Sequence, residues 1–167
     1  SKAKIAAFDK TGTLTQGVFV VSEIHPSAAA KISQEELIAI AAHAEKFSDH
    51  PISKSLKLAH SCPKCDSVAL QNVQEYRGQG ISVEIDGQKI LAGNLKLMQA
   101  FNVQQIVPCP KDDAGTIVHI AIDGIYQGHN IISDKIKEQS RDALAALKRI
   151  GIKKTVMLTG DAKAGSV

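Results

Sequence analysis

The stretch "AAFDKTGTLT", residues 6–15, sets an acid, a lysine and three threonines around one glycine directly behind an apolar run. Residues 4–8 (KIAAF) read as a short buried strand, and the Thr/Gly-rich segment after them breaks that pattern. Asp9 therefore falls at the strand's carboxyl end, where open α/β sheets expose their reactive groups. A carboxylate placed there can attack a phosphoryl group and form an aspartyl-phosphate. Beyond that bond, the chemistry needs positioning and neutralised charge on the transferred oxygens. On this reading the backbone N–H groups of Thr11, Gly12 and Thr13 bind those oxygens, and Gly12 lets the chain come close. Lys10, with a Mg²⁺ at Asp9 and Thr11, supplies positive charge. A plain turn after a strand would explain the Asp and the Gly but not the whole run of seven.

With 167 residues the chain can hold one large domain or two small ones. Hydrophobic residues make up 44% and charged residues 22%, a globular composition far from disordered or fibrous chains. A net charge of +3, dispersed and without aromatic-basic interleaving, gives no argument for nucleic acid, and no nucleic-acid partner is expected. No run approaches the ~18 apolar residues of a membrane helix, and the first residues lack the core of a signal peptide, so the chain as given is expected to be soluble. Cys62 and Cys65 form a Cys-Pro-Lys-Cys pair and Cys109 stands alone. This odd count argues against a secreted disulfide framework and fits a reducing compartment.

Further along, residues 18–24 read as a second strand that His25-Pro26 interrupts. Ser33 followed by Glu36 is a capping box, and Leu37, Ile38, Ala41, Ala44 and Phe47 at helical spacing predict a helix over 34–47. SDHPISKSLKLAH restarts a helix with Pro51 in its first turn, which holds His50 at the helix mouth. ISVEI, Asp86-Gly87 and QKILA predict a β-hairpin, and TIVHIAI, Asp123-Gly124 and IYQGHNI repeat the device. From Ile131 the chain runs through IKEQSRDALAALKRI, a helix closed by Gly151, into the strand KTVMLTGD. The two ends thus share an α/β style, whereas the middle is α+β. The economical organisation is an α/β domain over 1–22 and 128–167, interrupted by an inserted domain over 23–127.

DKTGTLT, residues 9–15, resembles the phosphorylation signature of P-type ATPases, members of the haloacid dehalogenase superfamily. The resemblance implies a Rossmann-like phosphorylation domain with an inserted α+β nucleotide-binding domain built on an antiparallel sheet. In the superfamily's phosphatases the position two after the nucleophile is commonly an Asp acting as acid/base. Here it is Thr11, and losing that base slows hydrolysis of a phosphoenzyme, which suits a pump. MLTGD, residues 157–161, resembles the second signature of P-type ATPases, with Thr159 beside the phosphate and Gly160 and Asp161 at another strand end. Ala162 stands where the family usually carries Asn. Asp134 matches the family's acid at the return from the insert, with a helix N-cap as the alternative reading.

Glu45 falls on the same helical face as Ile38 and Ala41, an odd place for a carboxylate that only needs water. With Ser48-Asp49-His50-Pro51, Gly78-Gln79-Gly80 and Gly93-Asn94, it resembles the nucleotide-binding set of heavy-metal-transporting P-type ATPases. By that resemblance His50 and Glu45 address adenine, Gly78 and Gly80 let backbone approach the nucleotide, and Ser48, Pro51, Gly93 and Asn94 complete the site. FSDHPISKSL, GNLKLM and KKTVMLTGD look closest to pumps of the zinc, cadmium and lead kind, with copper and cobalt as alternatives.

The resemblance further implies ATP and Mg²⁺, a heavy-metal cation carried by a full-length parent, and that parent's membrane helices and actuator domain as partners. The place would be the cytoplasmic face of a cell membrane. The chain stops soon after TGD, before the family's Gly-Asp-Gly-x-Asn-Asp segment, so the phosphorylation domain is expected to be incomplete, binding ATP but phosphorylating poorly. Two competing readings are a soluble phosphatase of the same superfamily, against which Thr11 argues, and a metal-binding regulatory module at Cys62 and Cys65. The latter, even with His60 nearby, is one ligand short of a tetrahedral zinc site.

Overall fold

Two Asp-Gly pairs shape the middle of the chain. Asp86 and Gly87 sit at φ 50° and 78°, and Asp123 and Gly124 at 49° and 77°, so both central residues of each turn are left-handed and the turn's twist matches that of the strands it joins. In the computed structural model, residues 5–9, 15–60, 67–109, 115–150, 152 and 154–158 are described. Their elements in chain order are β1 Ile5–Asp9, β2 Thr15–Pro26, α1 Gln34–Ala44, α2 Pro51–Ala59, β3 Gln71–Tyr76 and β4 Gly80–Ile85. They continue with β5 Gln88–Gly93, α3 Leu95–Ala100, β6 Thr116–Ile122, β7 Ile125–Ile136, α4 Glu138–Arg149 and β8 Lys154–Leu158. Among them no helix is long and apolar enough to cross a membrane.

The chain divides into two compact units, one of Ser1–Val18 with Asp134–Val167 and the other of Phe19–Ser133. The divisions fall inside the long strands β2 and β7. The larger unit carries a six-stranded sheet in the order β2-β7-β6-β5-β4-β3, its hairpins closed at Ile85↔Gln88 and Ile122↔Ile125. Helices cover both faces. Leu37, Ile38 and Ala41 of α1 and Leu56 of α2 pack with Val83, Ile90, Ala92, Val118 and Ile120, whereas Leu97 and Met98 of α3 pack with Leu91, Ala121 and Tyr126 on the other side. This double cover is why β5 reads ILA without alternation, since neighbouring residues point to different buried layers.

Three elements differ from the sequence reading. First, α1 ends at Ala44, not at 47: Lys46 N–H turns back to His43 O at 3.1 Å, and the Lys57 ammonium binds the carbonyls of Lys46 and Ser48, satisfying groups that further helical turns would have used. Phe47 is consequently turned outward, 70% exposed. Second, His25-Pro26 does not interrupt β2 but closes it. The strand lies at the sheet's edge, where proline's missing N–H breaks no ladder. Third, Asp134 is no helix N-cap: it lies in β7, and Lys137 occupies that position before α4.

In the smaller unit β1 and β8 pair in parallel, with Asp9 opposite Leu158. There the Thr15 hydroxyl donates to the Asp134 carboxylate.

Candidate functional site

The parallel pairing puts the last residue of β1, Asp9, beside the last residue of β8, Leu158. Asp9 and Leu158 therefore end adjacent parallel strands at the same carboxyl edge. Lys10, Thr11, Gly12, Thr13, Thr159, Gly160 and Asp161 lie outside the described residues, as do Cys62 and Cys65.

The larger unit holds a cleft of about 390 Å³ between the loop joining α1 to α2 and the turns bordering β4 and β5. Glu45, Ser48, His50, Gly78, Gly80, Gly93 and Asn94 all line it, with Pro51 one residue behind as the first residue of α2. Sequence reasoning named these eight positions from four separate stretches, and the fold brings seven of them to one wall.

Each is held by a local cause. His50 is the N-cap of α2, and its Nδ1 accepts the N–H of Ile52 at 3.2 Å. That leaves the neutral ring's proton on Nε2, a donor. Glu45 is the C-cap of α1, and its Oε2 accepts the Ser53 hydroxyl at 2.7 Å. Ser53 Oγ also lies 2.9 Å from Ser48 Oγ, which in turn accepts the N–H of His50 at 3.3 Å. With its one proton given to the carboxylate, Ser53 accepts from Ser48, so the three bonds run in one direction from the His50 backbone to Glu45.

The glycines divide into two roles. Gly80, at φ 140°, pairs with Gly93 across β4 and β5, and a Cβ at Gly80 would stand 2.2 Å from Ala92 O. These two glycines allow the strands themselves to meet. Gly78, at φ 69°, faces open space, with nothing within 4 Å of an added Cβ. Asn94 caps α3 through Oδ1 and donates from Nδ2 to Gly78 O at 2.9 Å, so its amide fixes the turn over which Gly78 lies.

A model of the haloacid dehalogenase-like hydrolase family matches residues 3–165. The chain belongs to that family. This haloacid dehalogenase-like hydrolase is 46% identical over 163 residues to the cadmium, zinc and cobalt-transporting ATPase of Bacillus subtilis (strain 168), covering 98% of the chain and 22% of that protein. It is 41% identical over 160 residues to the zinc-transporting ATPase of Synechocystis sp. (strain ATCC 27184 / PCC 6803 / Kazusa), covering 96% of the chain and 21% of the relative. The chain thus spans less than a quarter of these curated relatives. Among solved structures, a zinc-transporting PIB-type ATPase in its E2.Pi state superposes with a TM-score of 0.70 at 25% identity, over 96% of this chain and 26% of that one. The N-domain of HMA6, a copper-transporting P-type ATPase, shares the fold over 70% of this chain and 99% of its own, with a TM-score of 0.57 at 18% identity.

Sequence reasoning missed Ser53 and Phe47 as cleft residues of this haloacid dehalogenase-like hydrolase. Phe47 was assigned to the buried stripe of α1, and only the early end of that helix turns it to the cleft. For Ser53 a signal existed: it lies eight residues from Glu45, a spacing no single helix joins, but the intervening Pro51 announces a second helix that can bring it back.

Proposed function

We propose that the chain is the ATP-binding and phosphorylation region of a longer P-type ATPase that moves heavy-metal cations of the zinc/cadmium class, working at the cytoplasmic face of a membrane. The observation that carries this reading is the convergence of Glu45, Ser48, His50, Gly78, Gly80, Gly93 and Asn94 on one cleft. Its volume of about 390 Å³ falls within the range of small-molecule sites, roughly 300–1,000 Å³. Phe47, Ile52 and Val73 give it an apolar wall suited to the faces of a purine. The Glu45 carboxylate is an acceptor for the adenine amino group, and His50 Nε2–H is a donor for a ring nitrogen. Gly78 leaves room for the nucleotide to pass the turn.

In the proposed reaction an oxygen of the Asp9 carboxylate attacks the γ-phosphorus, the bond to the β–γ bridging oxygen breaks, and ADP leaves with that electron pair. Thr11, in the place of a second acid, provides no base for rapid loss of the phosphoryl group. Mg²⁺, when bound, would offset charge on the transferred group; Asp9 and Thr11 are the residues proposed to hold it. The relatives named for cadmium, zinc and cobalt support the cation class.

The test is acid-quenched labelling of the intact transporter with γ-labelled ATP. Label present in the wild type and absent from Asp9→Asn is the expected result, with turnover stimulated by Zn²⁺ or Cd²⁺. A labelled Asp9→Asn protein would overturn the nucleophile, and stimulation by copper alone would overturn the cation class.

A further inference from the structure

Glu45 is held by a buried group on the neighbouring helix. Ser53 is 2% exposed, on the first turn of α2, and its hydroxyl donates to Glu45 Oε2 at 2.7 Å. Among the described residues no other group binds that carboxylate. Glu45 is the C-cap residue of α1, where the helix ends. The Ser53 hydroxyl is the group that bonds and orients its carboxylate. The other end of the relay, Ser48 Oγ, receives the N–H of His50, which lines the same cleft as Glu45. One buried hydroxyl thereby couples the acceptor of the cleft to the backbone of its donor.

This coupling has a chemical consequence at the base. With Oε2 taken by Ser53, Oε1 is left as the acceptor, and His50 Nδ1 is taken by Ile52, which leaves Nε2–H as the donor. An acceptor and a donor lining one cleft suit the 6-amino group and N7 of adenine. A 6-oxo purine puts an acceptor where the amino group stood, so carboxylate and carbonyl oxygens face one another.

We propose that Ser53 is the positioning residue for base selection in this cleft: its hydroxyl fixes the Glu45 carboxylate in the orientation that accepts from a 6-amino purine and rejects a 6-oxo purine. The proposal rests on the nucleotide reading given above. A serine that merely filled space would not change the ratio of the two affinities. A serine that orients Glu45 changes that ratio and little else.

The experiment is calorimetric titration of ATP and of ITP into the full 167-residue chain and into Ser53→Ala, Ser53→Cys and Ser53→Thr, each first checked for a native amide spectrum. ITP differs from ATP at position 6 of the base and carries the same ribose and triphosphate. In the wild type ATP binds more tightly, by on the order of 10-fold. Ser53→Ala is expected to weaken ATP by about that factor and leave ITP unchanged, so that preference disappears, while Ser53→Thr keeps it. Ser53→Cys retains volume with a weak donor and serves if the alanine variant fails to fold; it too should lose the preference.

Equal loss for both nucleotides in Ser53→Ala, or an unchanged ratio in a folded Ser53→Cys, overturns the positioning role while leaving nucleotide binding intact. A folded wild type that binds neither nucleotide overturns the nucleotide reading and the proposal with it.

Discussion

Replacing Gly80 by alanine separates the two roles that glycines take around the cleft. At φ 140° an L-residue is strained by about 1–3 kcal/mol before any contact is considered. The added methyl would also stand 2.2 Å from Ala92 O, 2.5 Å from Gly93 Cα and 3.0 Å from Ala92 C, all backbone atoms of the paired strand β5. No side chain can swing aside to relieve this, so β4 and β5 must part near Gly80↔Gly93, with loss of at least one ladder bond worth about 1 kcal/mol. Together these give a loss of about 2–4 kcal/mol. Gly78→Ala provides the internal comparison, since its methyl meets nothing within 4 Å and only the left-handed backbone, worth about 1–2 kcal/mol, opposes it. Urea unfolding should therefore rank Gly80→Ala clearly below Gly78→Ala in stability. ATP titration of the folded variants should show Gly78→Ala weakened by the methyl intruding on open space in the cleft. A Gly80→Ala protein as stable as the wild type, with only nucleotide binding lost, would refute the strand-contact reasoning.

Other positions give sharper contrasts between stability and binding. Phe47→Ala should leave the urea midpoint within about 0.5 kcal/mol, because the ring is 70% exposed, yet weaken ATP roughly 10-fold by removing an aromatic face; unchanged affinity in a calorimetric titration would count against the apolar wall. Tyr126→Phe removes the hydroxyl shared by Nδ1 of His119 at 2.9 Å and Nδ1 of His129 at 3.0 Å, and chemical denaturation should register a loss of about 1–3 kcal/mol; a neutral effect would mean that these imidazoles find other partners. His129 is pulled below its ordinary 6.5, chiefly by burial and next by His25, with Glu23 opposing, and His43 is lowered by burial, His60 and Lys46. The unfolded chain then takes up protons at higher pH than the folded one, so this stability is complete above about 6.5 and is lost as pH falls through the lowered values. Urea midpoints should drop as pH falls below about 6.5, less steeply in His129→Gln; a flat profile would contradict the buried neutral histidine.

Hairpins and strand-end motifs were legible because each rests on local chemistry. Asp86-Gly87 and Asp123-Gly124 can take left-handed backbone at both turn centres, Ser33 and Glu36 cap α1 reciprocally, and Pro51 starts α2 with His50 as its cap. The end of α1 was not legible, because what stops it is the Lys57 ammonium on another helix, a contact that apolar periodicity does not register. Gly80 and Gly93 were recognisable as special positions, but their pairing across two strands is a matter of register, and only the register says which backbone they admit. Asp134 could be read from sequence as a cap or as a contact, and the length of β7 decided between them.

The central claim is that the wall formed by Glu45, His50 and Gly78 to Gly80 reads adenine. Its most direct measurement is a titration of ATP, ADP and AMP into the chain followed by amide chemical shifts, with Glu45→Ala and His50→Ala alongside. The account predicts adenine-dependent shifts clustered on these residues, common to all three nucleotides and lost in both variants. A folded wild-type chain whose amides do not respond to any of the three would contradict it.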